Sequence, residues 1–313
     1  MRFFKLFVVI TAIFCLSVSG RAFAAETDMQ NFRDAYLKDL GDATGYHVEL
    51  MFQGPSFHSN TIADGLLGKD GYAAMTGKLS WSYTDTASGQ TKQQEMPFYA
   101  ERSSEAAILY GKRGDVWQRE NILGSLAWIL DIINSEDKDT KLQYAATVTD
   151  VQTTELGNGQ QRMQITFNGK ALSAVKDKAV RAKISAMNEA DGKAALQSVG
   201  YLNAALAENN PRCVWTIDKK TGKTTMLTAD LTEIMRSYAK AMLQDSYQSK
   251  ITLTDEEKEF LASIGYYYNL QVYLTQESKS ADRAVIPATV KNTAQDAYIF
   301  ADIKNEIISA VKK

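Results

Sequence analysis

Three short motifs, Ser173-Ala-Val-Lys176, Tyr201-Leu-Asn203 and Lys220-Thr-Gly222, occur in the order used by serine enzymes that form acyl intermediates. In that chemistry the serine attacks, the lysine helps to activate it and the third motif lines the acyl pocket. The spacing removes the match. Only 28 residues separate Ser173 from Tyr201 and 17 separate Asn203 from Lys220, too few for the helical domain that must lie between them. Lys220-Thr-Gly222 also reads as a turn, flanked by Asp218-Lys219 and Lys223-Thr224, and Ser237-Tyr-Ala-Lys240 repeats the first motif elsewhere. These residues read as surface helix and turn chemistry.

Other chemistry fails sooner. The run from Ala63 through Gly68-Lys69-Asp70 lacks the first glycine and the Ser/Thr of a phosphate-binding loop, and reads as a glycine-rich loop between strands. His47 and His58 are the only histidines, without the spacing of a zinc site, and His47 falls on the polar face of its strand. No G-x-S-x-G supports a hydrolase triad. The acidic run Asp255-Glu-Glu257 with Glu259 is explained by its place at a helix N-terminus. No enzyme, no cofactor and no metal are expected.

The first 25 residues carry a different message. A positive start with Arg2 and Lys5 precedes a mostly apolar, uncharged stretch from Leu6 to Val18, and Ala22-Phe-Ala24 places small residues as a signal peptidase requires. The stretch is too short to span a bilayer, for which about 20 apolar residues are needed. It reads as a cleaved signal peptide over 1–25, and Phe14 before Cys15 argues against lipidation. Removing Arg2, Lys5 and Arg21 leaves 32 basic against 37 acidic residues. Such a chain has no general attraction to nucleic acid. No later stretch is apolar enough to cross a membrane, and Cys213, alone after the signal, has no internal disulfide partner. A monomeric protein, periplasmic or associated with the cell envelope, is expected.

The elements that would position a site are mainly strands. Gln30 to Asp39 reads as a short amphipathic helix. Tyr46, Val48, Leu50 and Phe52 then alternate with polar neighbours, and Met75, Leu79 and Trp81 share one face of the next clear strand. Further strands carry Met96 and Phe98, Ala106 to Tyr110, and Val116 to Arg119 after a turn at 111–115. Leu142, Tyr144, Ala146 and Val148 read as a long strand turning at Gly157-Asn-Gly159 and returning through Met163, Ile165 and Phe167. Ala- and Lys-rich residues 170–208 read as a helical insertion of two helices broken near Asp191-Gly192.

Strands follow over Cys213, Trp215 and Ile217 and over Thr224 to Asp230, then a helix from Leu231 to Leu243. Thr254 with Glu257 forms a capping box for a helix to Ile264. Tyr266 to Gln276 reads as the last strand, and one C-terminal helix follows Ile286-Pro287. About ten strands with interspersed helices predict an α+β fold, one strongly curved antiparallel sheet with helices on its concave side. Between two of the strands lies Ile122 to Ile133, apolar nearly all round. It is either a core helix gripped by the sheet or a lid over an apolar cavity.

The segment Val214-Trp-Thr-Ile-Asp-Lys-Lys-Thr-Gly-Lys-Thr-Thr-Met-Leu-Thr-Ala-Asp-Leu231 resembles the late hairpin of LolA/LppX-like exported proteins. Gly114-Asp-Val-Trp117 in a hairpin, Ile286-Pro-Ala-Thr-Val290 and the N-terminal helix before long strands resemble the same superfamily. The resemblance implies a single domain over 26–313, a half-open β-barrel, and carriage or sensing of a lipid or lipoprotein without catalysis. An apolar cavity would then be lined by Val48, Leu50, Phe52, Met75, Leu79, Trp81, Met96, Phe98, Trp215 and Ile217, meeting Leu126, Trp128 and Ile129 of the apolar helix. The other reading keeps the fold but fills the core. The protein then docks an envelope partner through its helices or through Tyr266-Tyr-Tyr268.

Overall fold

Side chains that alternate along a strand need a covered face, and in this chain one face is covered across an entire sheet. The computed structural model describes residues 26–37, 43–55, 57–68, 73–85, 88–102, 107–121, 138–175 and 189–311. Its strands are β1 (Ala43–Gln53), β2 (Phe57–Gly68), β3 (Ala73–Thr84), β4 (Thr91–Arg102), β5 (Ala107–Arg113) and β6 (Val116–Asn121). They continue with β7 (Val148–Glu155), β8 (Gln160–Phe167), β9 (Arg212–Asp218), β10 (Thr224–Asp230), β11 (Asn269–Gln276) and β12 (Gln295–Asp296). All twelve join in the order β12-β6-β5-β4-β3-β2-β1-β11-β10-β9-β8-β7. Every neighbouring pair is antiparallel except β12 with β6, which is parallel. The sheet is curved and unclosed, as predicted, and the fold is α+β.

The helices described from end to end are α1 (Glu26–Tyr36), α2 (Lys138–Ala145), α3 (Glu189–Glu208), α4 (Thr232–Tyr247), α5 (Asp255–Tyr267), α6 (Ser278–Arg283), α7 (Ala288–Thr293) and α8 (Ile299–Val311), and residues 169–175 are helical too. Most of them cover the concave face. Phe32 of α1 meets Trp215 edge-on at 6.1 Å, and Tyr201 of α3 meets Tyr238 of α4 at 5.6 Å. Phe260 of α5 stands against Phe57 and Tyr268. The capping box opens α5 as expected, with Thr254 accepting from Glu257 N–H and the Glu257 carboxylate accepting from Thr254 N–H. Close approach also dictates composition. A Cβ on Gly169 would stand 1.7 Å from the Asn209 carbonyl oxygen, so only glycine fits where the end of α3 crosses this point.

Several expectations need correction. Residues 63–68 are the second half of β2 and not a loop, because Gly65 pairs with both Tyr46 and Met75 and the ladders on either side offset the weak strand propensity. Leu142 to Ala145 is helical. Tyr144 and Ala145 are both buried while Leu142 is exposed, so the apparent alternation was incidental. Helix α3 runs unbroken through Asp191-Gly192. Tyr266 and Tyr267 end α5 in solvent, and β11 begins only at Asn269. The single C-terminal helix is two helices separated by β12, because Val290 and Ala294 belong to one apolar cluster and Ile299, Ile303 and Ile307 to another. Residues 1–25 and the apolar run 122–133 lie outside the described residues.

That division reflects the path of the chain after β11. Helices α6 and α7 lie on the convex face, contrary to the expectation of helices on the concave side alone. Val290 and Ala294 pack there with Tyr110, and Ser280 and Arg283 reach Asp64 of β2. Strand β12 then pairs with the edge strand β6, and α8 turns onto the concave face. There Glu306 accepts from Arg113 at 2.7 Å and from the Tyr83 hydroxyl at 3.2 Å.

Asp64 is the fixed point of the convex strap. Burial opposes its charge, but the hydrogen bonds with His47 (3.0 Å) and from Ser280 (2.8 Å) and the Arg283 guanidinium (2.8 Å) outweigh burial. They hold its carboxyl below the usual aspartate range. A carboxylate whose pKa falls on folding contributes fully above its unfolded value of about 3.9 and loses that contribution as pH drops through the folded value. Asp64→Asn is therefore expected to lower stability by about 1–2 kcal/mol at pH 7, a figure discounted because Arg283 is half exposed. Urea unfolding from pH 7 to pH 2 should show a shallower acid limb in the variant. Equal acid limbs would remove Asp64 from this role.

Candidate functional site

Cross-strand register carries single rows of side chains across the concave face. In one row Gly111, Phe98, Gly77, Ala63, Val48 and Leu274 follow one another, and it continues through Leu227, Trp215 and Met163. The next row joins Met96, Leu79, Thr61, Leu50 and Val272. A third joins Trp81, Ser59, Phe52 and Leu270. All ten strand residues singled out from the sequence, namely Val48, Leu50, Phe52, Met75, Leu79, Trp81, Met96, Phe98, Trp215 and Ile217, therefore share one face. Leu126, Trp128 and Ile129 lie outside the described residues.

Coverage of that face is uneven along the strands. Toward the β1–β2 turn it is closed by aromatic rings. Phe52 stacks on Tyr268 with centroids 4.8 Å apart and tilts against Phe57 at 5.7 Å, and all three are at most 2% exposed. The Tyr268 ring presses so closely on the turn that a Cβ on Gly54 would stand 2.1 Å from it. At the opposite end the row Tyr46, Gly65, Met75 and Ala100 crosses β1 to β4 in register. Tyr46, Met75 and Ala100 are only partly buried there, as is Val48 beside them. These apolar side chains are packed against the core but are less covered than those at the other end.

Small residues make room in the middle. β2 presents Ser59, Thr61, Ala63 and Gly65 to the concave side, β3 adds Gly77 and β5 adds Gly111. Sequence reasoning missed them because small and polar residues hide the alternation that β1 and β3 show plainly. The Met96 sulfur occupies the place of a Gly111 side chain, 2.6 Å from where a Cβ would be. Polar groups reach this face at its flanks, where Glu120 opposite Leu109 and Gln161 opposite Ile217 are both buried. Trp215 Nε1 donates to Thr224 Oγ1 at 3.0 Å. Trp81 Nε1, Gln118 Oε1 and Thr153 Oγ1 are buried without a hydrogen-bond partner among the described residues. Burial pushes the Tyr144 hydroxyl far above its ordinary pKa, which keeps it protonated.

The described residues of the serine-enzyme motifs are engaged by local partners, and Lys176 lies outside the described residues. Ser173 Oγ donates to the Lys170 carbonyl of its own helix, the Tyr201 hydroxyl donates to Asp245, and Lys220 sits in the turn organised by Asp218 and Thr221. His47 faces away from the core, as its strand position predicted. Among the described residues no group of His, Cys, Asp and Glu is placed to hold a metal ion, and no helix is long and apolar enough to cross a membrane. Cys213 is a buried thiol on the concave face.

No protein-family model matches the chain, and no curated protein matches it. Among solved structures the chain is similar to LprF from Mycobacterium bovis, with 11% identity and a TM-score of 0.40, over 82% of this chain and 93% of that one. The architecture described above rests on this chain's own strand pairing.

The two ends of the concave face should respond differently to truncation. Phe52→Ala is expected to cost about 3–5 kcal/mol, as for a fully buried aromatic residue. Val48→Ala should cost only about 1 kcal/mol, at about 0.8 kcal/mol per fully buried methylene and partial burial here. Denaturant unfolding of both variants checks the difference, and equal large losses would mean that the Val48 end is as closed as the other.

Proposed function

We propose that the chain is an exported, non-enzymatic binding protein that holds a lipid-like or acyl ligand against the concave face, in the manner of LolA/LppX-like proteins. The observation that carries this reading is the less covered apolar row Tyr46-Gly65-Met75-Ala100, continuous in register with a deeper apolar face. The ligand enters at that row and its tail runs toward Leu50, Leu79 and Met96. Leu126, Trp128 and Ile129 belong to the segment proposed to cover it. No catalytic group is needed.

Magnitudes set the ligand's size. Each buried methylene contributes about 0.8 kcal/mol. Association costs about 4–15 kcal/mol before any net affinity appears. A chain of about ten methylenes only offsets that cost, so long-chain lipids are expected to bind and short acids are not.

Native mass spectrometry of protein purified from a periplasm without delipidation tests the reading, followed by organic extraction. A co-purifying acyl or isoprenoid species in stoichiometric amount is the expected result. Gly65→Leu supplies the control. A Cβ at Gly65 meets its nearest neighbours at 3.6 and 3.8 Å, ordinary contacts, so the variant should fold while its side chain obstructs that row. Loss of the ligand with an unchanged fold supports entry at this row. A protein that stays lipid-free after incubation with envelope lipids would point instead to a filled core that docks a protein partner.

A further inference from the structure

The convex face carries a concavity of its own. Two rows of outward side chains cross β1 to β4 in register. Gln53, His58, Ser82 and Gln93 form one, and Met51, Asn60, Ser80 and Glu95 form the next. β3 contributes only serines to these rows, while the flanking strands contribute longer side chains. The floor is therefore low at Ser80 and Ser82, and walls rise at Gln53 and His58 on one side and at Gln93 and Glu95 on the other. The result is an open groove of about 370 Å³. Asn60, in its lining, donates from Nδ2 to Glu49 at 3.1 Å, while its Oδ1 is buried with no donor among the described residues.

The lining selects a chemistry. It offers amides, hydroxyls, an imidazole and a carboxylate, so donors and acceptors alternate over short distances. It contains no Lys or Arg, and Glu95 is already paired with Lys78 at 2.9 Å, so an anion finds no counter-charge in it. Met51 is the one apolar side chain in the two rows, and Trp81, which also borders the groove, is buried with its side chain on the concave face, so little apolar surface is offered to an acyl chain. An extended peptide needs a free strand edge for its backbone, whereas this groove crosses the faces of strands already paired. We infer that the groove binds a neutral saccharide of about disaccharide size, whose hydroxyls pair with the exposed amides, the serines and the imidazole. The volume lies at the low end for small-molecule sites, which fits a ligand of that size.

The test uses the full purified chain, isotope-labelled, titrated separately with maltose, cellobiose and N,N′-diacetylchitobiose, with sodium sulfate as an anionic control. At least one sugar is expected to give saturable NMR shifts centred on Asn60, Ser80 and Ser82, and sulfate none. Gln93→Ala, at an exposed position, removes one hydrogen-bonding side chain and should weaken binding about fivefold without disturbing the fold. Ser80→Phe fills the low point of the floor and should abolish binding. If Ser80→Phe fails to fold, the Gln93→Ala affinity decides alone. The inference is overturned if no sugar saturates up to about 10 mM, tenfold above a weak millimolar site. It is equally overturned if sulfate alone perturbs the groove, or if Gln93→Ala leaves the affinity unchanged.

Discussion

Strand β1 is held between β2 and β11 by ladders that run almost its full length, and the register of that one strand governs both faces of the molecule. A slip by one residue would carry His47, Glu49 and Met51 into the core and expel Val48, Leu50 and Phe52. His47 would lose Asp64 and Glu49 would lose Asn60, leaving buried polar groups without partners. The register is also pinned mechanically. The Tyr268 ring fills the space a side chain would take at Gly54, so the β1–β2 turn has one seat against the end of α5. Everything attached to the neighbouring strands inherits that alignment.

The C-terminal chain closes what the sheet leaves open. After β11 it crosses the convex face, where Asp64 gathers Ser280 and Arg283 and Glu101 pairs with Lys291. It then covers the β6 edge with the two residues of β12, which blunts one of the two exposed edges of an unclosed sheet. Finally α8 brings Ile299, Ile303 and Ile307 onto the concave face, with Glu306 fastened to Arg113 and Tyr83. Each exposed ion pair along this path is worth little alone. Together they select a path that the apolar contacts of α7 and α8 stabilise, and they do so on opposite faces of the same sheet.

Period-two alternation thus separates two kinds of surface by the thickness of a sheet. One face is largely apolar and less covered at one end; the other is polar and carries Glu49, Asp64, Glu95 and Glu101 against Lys78 across β1 to β4. A ligand recognised by one cannot be recognised by the other, because the backbone between them offers no passage. The lipid-like and saccharide-like readings are therefore independent in their physics and in their tests.

How much of this was legible in the chain differed from element to element. β1, β3, β8 and β9 announced themselves because large apolar residues alternate with polar ones, and their site residues fell on one face as the alternation requires. The Thr254–Glu257 capping box and the Gly157-Asn-Gly159 turn are local devices, written in adjacent residues, and were equally plain. β2 was not, since its inward residues are small and its glycines imitate a loop; only pairing on both sides makes it a strand. The helix at 138–145 and the end of α5 at the tyrosines were misread for the converse reason, that a local pattern matched a strand with no neighbour to pair with. The division of the C-terminal helix by β12 depended on which face each apolar residue could reach. Local sequence determined periodicity, caps and turns, because those depend on neighbours in the chain. Tertiary structure decided which strands paired, which end of the core was covered by aromatic rings and which face the C-terminal chain crossed, because those depend on contacts between residues far apart in sequence.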